Sequence, residues 1–173
     1  QAWYSCTSAV TLSVATKPAS CTVISGATYV TYTPVSADAG KYLSFAVTES
    51  NTYGTTTVWS VSSVAVTLVP ANITAPVISG TQKVGASLTS STGSWSGYPT
   101  PTLTYVWFSC TSQVLVASAT QPAGCVAIAG ATSSTYVVAS ADVGSYISVQ
   151  VTASNSTGTA VMWSASTTSV GQA

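Results

Sequence analysis

The chain has 173 residues, 46% hydrophobic and 3% charged, with three lysines, three acidic residues and no histidine. Disorder goes with low hydrophobicity and high charge, so this composition predicts a folded chain. A net charge of zero leaves no electrostatic attraction for nucleic acid or an anionic membrane, and no apolar run approaches the ~20 residues of a membrane span.

Strand formers appear at once, in Trp3–Cys6. Further on, Leu43, Phe45 and Val47 alternate with Tyr42, Ser44, Ala46 and Thr48, giving one buried face and one wet face. Asn51 to Gly54 is hairpin-turn chemistry. Pro70 to Pro76 reads as an extended linker with proline at each end. Val77-Ile78 starts a short strand stopped by Gly80, and Ala86 to Thr92 forms a second before a turn over Gly93–Gly97. Leu103 to Cys110 is a third strand, and residues 113–118 return as its hairpin arm. Gln121-Pro-Ala-Gly124 is turn chemistry. Cys125–Ala129 and Thr135–Val138 are short strands. Tyr146–Ala153 and Thr159–Val170 form a last hairpin turned at Asn155-Ser-Thr-Gly158. In Tyr146–Ala153, Ile147, Val149, Val151 and Ala153 share the core face, with Tyr146, Ser148, Gln150 and Thr152 on the wet one. Seven or eight short strands with regular turn signals predict an all-β antiparallel sandwich.

The chain also repeats itself without a gap. Cys6 lies over Cys110, an offset of 110 − 6 = 104 residues, and just under half of the overlapping pairs are identical. Such a period suits whole domains in tandem and is too long for solenoid units. It predicts a partial domain over 1–69, a linker over 70–76 and a complete domain over 77–173. Nothing before Gln1 matches the opening strands in 77–92, so residues resembling 71–104 are expected ahead of Gln1 in a longer array. A strand donated by another protein is the lesser alternative. With Gln at residue 1 and no signal peptide, the chain reads as processed or excised from something larger.

Four cysteines allow three pairings. The repeat selects Cys6–Cys21 and Cys110–Cys125, since each unit must be self-sufficient. Zinc would have to draw ligands from both repeats, without histidine or a CxxC. Disulfides place the chain in an oxidising, extracellular setting.

The Trp-x-x-Cys element, the Ser-Ala-Asp-x-Gly-x-Tyr segment, the alternating strand and the Asn-x-x-Gly hairpin together resemble bacterial immunoglobulin-like (Ig-like or fibronectin-like) repeats. These occur in large secreted and surface proteins of actinobacteria and related Gram-positive bacteria. The resemblance covers nearly the whole chain and implies tandem Ig-like sandwiches used as a spacer or adhesive stalk. Antibody-type domains would carry a cysteine two residues after Tyr42 and Tyr146, where Ser44 and Ser148 stand. The cysteines here follow the core tryptophan strand instead, so an edge-hairpin staple is expected rather than an inter-sheet bridge.

Chemistry-bearing residues are sparse. Asp38 and Asp142 are repeat equivalents and read as turn residues holding local backbone N–H groups, not as a glycosidase pair. One Asp per repeat is thin for calcium. Gln121 and Ser145 replace Lys17 and Lys41, so no lysine is kept in register for a crosslink. No catalytic residue, cofactor or metal site is therefore assigned. Trp3 and Trp107 are expected in the core, and Trp59 and Trp163 at a sandwich edge or domain junction. Trp95 and Tyr98 are the candidate glycan-contact residues, Tyr53 a hairpin-tip contact between subunits. Asn72 and Asn155 head the N-x-S/T sequons and are the candidate glycosylation sites.

The expected function is that of a non-enzymatic structural repeat in an extracellular bacterial surface fibre, stalk or sheath. The alternative is a carbohydrate-binding or adhesin module. Neighbouring repeats are the expected partners, since an uncharged surface offers little repulsion to self-association. Glycans are a further candidate partner. No nucleic acid and no membrane insertion are expected.

Overall fold

A computed structural model describes residues 1–173. The protein is all-β, built from antiparallel strands and two single 3-10 turns. No helix is long and apolar enough to cross a membrane. The chain divides into two units, Gln1–Leu68 and Val69–Ala173.

The first unit is one four-stranded sheet. Its strands are β1 (Ala2–Cys6), β2 (Cys21–Val23), β3 (Tyr42–Asn51) and β4 (Gly54–Trp59), in the order β2-β1-β3-β4. A 3-10 turn over Ser36–Asp38 precedes β3. β1 meets β3 from Cys6↔Tyr42 to Ala2↔Ala46, so Val47 to Ser50 have no ladder partner on that side. On the other side β3 pairs with β4 as far as Asn51↔Gly54.

The second unit contains β5 (Leu68–Thr74, all but its first residue), β6 (Ile78–Gly80), β7 (Ser87–Ser90), β8 (Ser94–Tyr98), β9 (Thr102–Cys110), β10 (Cys125–Ala127), β11 (Thr135–Val137), β12 (Tyr146–Asn155) and β13 (Gly158–Trp163). The sheet β10-β9-β12-β13 copies that of the first unit. A second sheet, β11-β7-β6, packs on its inner face, and β5 pairs with β8 in a small ribbon. Between the two larger sheets lie Leu88, Trp107, Val138, Ile147, Val149 and Val170, all buried. Burying a side chain of this size contributes roughly 1.5–3 kcal/mol. This is a sandwich-like core, and the alternation read from Tyr146–Ala153 sets it: Ile147, Val149, Val151 and Ala153 are each 0% exposed.

Three sequence expectations need correction. Residues 70–76 do not form a free linker, because residues 68–74 are a strand hydrogen-bonded to β8 and belong almost wholly to the second unit. The expected turn over Gly93–Gly97 is mostly β8 itself. Glycine is still required at 93, whose φ is +65° and where a Cβ would strike the backbone oxygen of Thr74. Thirdly, 113–118 is not the hairpin arm of β9. That arm is β10, paired Cys125↔Cys110. Residues 113–118 run instead to the opposite edge of the sheet, where Ser118 bridges Trp163 and Ser166 N–H donates to Val114 O at 2.8 Å.

Candidate functional site

Both units carry the same set of devices. The first is a disulfide-closed excursion. Cys6–Cys21 and Cys110–Cys125 are bonded, each across directly opposed strand positions, with Cα atoms 3.9 and 4.0 Å apart. Each joins an edge strand to its neighbour within one sheet, as a hairpin staple does. The 15-residue separation makes each worth about 3 kcal/mol by loop closure. In the second unit the excursion leaves β9, pairs at the β13 edge and returns to β10. Phe108, Cys110, Cys125 and Trp163 are buried together on the outer face, with Val106, Val114, Tyr146 and Val161 against them. Trp163 meets Phe108 edge-on at 6.1 Å, and Trp59 meets Tyr4 likewise at 6.0 Å. The face expected to be wet is therefore a second, smaller apolar layer, in which Ser148 is 0% exposed.

A second device satisfies backbone N–H groups of β12 and the buried Ser148 hydroxyl, while the Trp163 and Trp59 indole N–H groups of that layer find no partner. Beyond β13 the backbone ladder is continued by hydroxyls. Val149 N–H donates to Ser164 Oγ at 3.1 Å and Ile147 N–H to Thr167 Oγ1 at 3.0 Å. Ser148 Oγ donates to Ser164 O at 3.0 Å. The first unit repeats this with Phe45 N–H to Ser60 Oγ, Leu43 N–H to Ser63 Oγ, and Ser44 Oγ to Ser60 O. Sequence reasoning missed these serines. Their signal was present, since Ser44 and Ser60 recur as Ser148 and Ser164, and Ser63 as the hydroxyl residue Thr167.

A third device is a tyrosine–aspartate latch. Asp142 Oδ2 accepts the Tyr136 hydroxyl at 2.6 Å and Ala139 N–H at 2.8 Å. Asp38 Oδ2 accepts the Tyr32 hydroxyl at 2.8 Å and Val35 N–H at 2.9 Å. The aspartates thus hold local backbone, as their turn setting predicts, and they also hold a tyrosine that the sequence reading overlooked. Burial and the bond to Asp142 push the Tyr136 phenol up to about 12. The Asp38 hydrogen bond, with some desolvation, raises Tyr32 in the same direction. Both carboxylates are buried, with Oδ2 of each engaged as a double acceptor.

The core tryptophans are anchored alike. Trp107 Nε1 donates to Ser133 O at 2.8 Å, and Trp3 Nε1 to Tyr29 O at 3.0 Å. Their burial differs: Trp107 is fully buried and Trp3 half-buried.

The candidate glycan-contact residues Trp95 and Tyr98 both lie on β8, three residues apart, with Gly97 at φ +149° between them. The Trp95 indole N–H is held by Thr92 O at 2.9 Å. Asn72 and Asn155 both have engaged amides. Asn72 Nδ2 donates to Thr74 O at 2.8 Å and Ser94 O at 3.3 Å. Asn155 Nδ2 donates to Pro99 O at 2.9 Å, while its Oδ1 accepts Thr157 N–H and Oγ1. Each sequon asparagine therefore already has a structural task. Tyr53 stands fully out at the β3–β4 hairpin tip, 98% exposed. Beside it a shallow polar cleft is lined by Glu49, Ser50, Asn51, Thr55 and Thr56. This holds one carboxylate beside several hydroxyls. No three acidic or cysteine side chains converge anywhere as a metal cage would require.

Comparison with protein-family models, curated proteins and solved structures found no match to the chain.

Proposed function

We propose that the chain is a non-enzymatic structural module, a pair of tandem Ig-like repeats from an extracellular bacterial surface fibre, stalk or sheath. One observation carries this reading. The side chains repeated between the units with the same partners are those that hold backbone: the cysteine pair, the Ser44/Ser148 and Ser60/Ser164 hydroxyls, the Tyr32–Asp38 and Tyr136–Asp142 latches, and the Trp3 and Trp107 anchors. The potentially reactive exposed groups do not repeat: Glu49 falls over Ala153, and Lys17 and Lys41 over Gln121 and Ser145. Duplication that maintains scaffolding without maintaining chemistry suits a repeating support. The two disulfides fit an oxidising exterior. The near-absence of charge fits close lateral packing between neighbours.

The carbohydrate-binding alternative would use Trp95 and Tyr98, which share strand β8, with the Trp95 indole N–H engaged by Thr92 O. Electron microscopy of the native material, with light scattering across concentration, tests the proposal. A periodic assembly built from this chain is expected. A native form that stays monomeric throughout, or one that binds glycans and loses binding on Trp95→Ala, would overturn it.

A further inference from the structure

The sheets β2-β1-β3-β4 and β10-β9-β12-β13 both end in a hairpin arm, β4 or β13. At that edge each excursion adds one rung of a fifth strand and then leaves. Trp59 N–H donates to Val14 O at 2.9 Å and Val14 N–H to Trp59 O at 3.3 Å. Trp163 N–H donates to Ser118 O at 2.8 Å and Ser118 N–H to Trp163 O at 3.1 Å. The next residues turn the other way, Ser60 N–H to Phe45 O and Ser164 N–H to Val149 O. Alternation therefore points the N–H and C=O groups of Thr57 and Thr55, and of Val161 and Thr159, out past the excursion. No strand pairs with them there.

The devices that blunt such an edge are missing. Gly54–Trp59 and Gly158–Trp163 hold no charged residue and no proline, and their ladders run without a bulge. The opposite sheet edge, β2 or β10, is protected by being three residues long. We propose that the β4 and β13 edges are interfaces between copies of the chain, β4 pairing antiparallel with β4 of a second copy and β13 with β13. A two-fold axis between the Thr56 residues sets Thr57 of each copy against Thr55 of the other, and each such pair exchanges two backbone hydrogen bonds. The side chains fit that register. Thr48 Oγ1 and Thr57 Oγ1 lie 2.9 Å apart, and Ser50 Oγ and Thr55 Oγ1 3.1 Å. Pairing runs these rungs on into hydroxyl rows four strands wide, from Thr48 and Thr57 into Thr55 and Ser50 of the second copy. At β13 the small Ala160 takes the place on the axis, with Thr159 against Val161. This self-complementarity makes a second copy the occupant. Two self-pairing edges on one chain can each take a different neighbour, which extends an assembly without closing it. The inference deepens the fibre reading and rests on it.

Sedimentation equilibrium and hydrogen exchange on the full chain, across concentration, test it. The chain is expected to associate as concentration rises, with the amides of Thr55, Thr57, Thr159 and Val161 exchanging at least about tenfold more slowly than in dilute solution. Thr57→Pro combined with Val161→Pro removes an outward N–H from each edge and spares the bonds to β3 and β12, so association should weaken about 10–100-fold. Thr57→Lys combined with Val161→Lys should also weaken it with the backbone intact. In both variants the Val58 and Met162 amides, bonded within the sheets, report that the fold is kept. Val126→Lys, on the β10 edge, should leave association unchanged. Association that survives the edge variants, that is lost in Val126→Lys, or that leaves the four outward amides unslowed overturns the proposal and leaves the structural-module reading standing. A chain monomeric at every concentration overturns both.

Discussion

Ser60→Ala and Ser164→Ala each delete a backbone N–H bond to a serine hydroxyl, in settings that differ in burial and in the hydroxyl's second partner, Val61 O for Ser60 and Ser148 Oγ for Ser164. Ser164 Oγ accepts Val149 N–H at 3.1 Å, and Ser60 Oγ accepts Phe45 N–H at 3.0 Å. The geometry is equal. Val149 and Ser164 are each 0% exposed, whereas Phe45 and Ser60 are half-buried. Loss of the hydroxyl strands a buried N–H in the second unit, at a cost of about 1–3 kcal/mol, and full burial puts Ser164→Ala at about 2–3 kcal/mol. In the first unit water can take the vacated place, which holds Ser60→Ala to about 0.5–1 kcal/mol. Native-state hydrogen exchange on the full chain reads each unit through its own slowest amides. The gap of roughly 1.5 kcal/mol should appear as about a tenfold larger rise in the opening equilibrium for Ser164→Ala. Equal losses in the two units would refute the role assigned to burial.

Two further outcomes follow from the same devices. Tyr136 titrates at about 12 when folded, against about 10 when unfolded, so its contribution is fully present below pH 10 and is lost as pH rises towards 12. Two pKa units correspond to at most about 2.7 kcal/mol, and solvent screening of a half-buried group reduces this to about 1–2 kcal/mol. Urea unfolding of the second unit between pH 9 and 12 should show that slope, and Tyr136→Phe should flatten it at a cost of about 1 kcal/mol at neutral pH. An unchanged slope in the variant would assign the titration to another group. Replacing Cys110 and Cys125 together with alanine should lower the second unit's stability by about 3 kcal/mol. It should also speed proteolysis within 111–124, and a cleavage rate equal to wild type would show that the Ser118–Trp163 pairing holds the excursion unaided.

The strands were legible where alternation was strict. Ile147, Val149, Val151 and Ala153 announced a core face because period-two patterning has only one way to be buried. Asn155 to Gly158 announced its hairpin through turn chemistry, and the 104-residue offset identified the cysteine partners. The path of 113–118 was not legible. Residues without periodicity give no sign of which sheet edge they will join, and the nearest strand is only the default guess. β8 was hidden by Gly93 before it and Gly97 within it, because pairing with β5 overrode a local turn signal. Ser148 was read as wet because a hydroxyl is polar, yet it is buried under chain that returns from far along the sequence. In a chain about one-third Ser and Thr, composition cannot separate a ladder-completing serine from a surface one.

The disulfide at the base of each excursion also fixes how far the chain can be drawn out. Under tension applied through the ends of a unit, the 15 residues from one cysteine to its partner contribute only the span of the bond itself. At roughly 3.5 Å per extended residue, each staple withholds about 50 Å of contour length. Pulled until its sheets part, the second unit yields a shorter tether than its residue count suggests, and reduction restores the difference. Oxidation state therefore sets how much slack each unit can release.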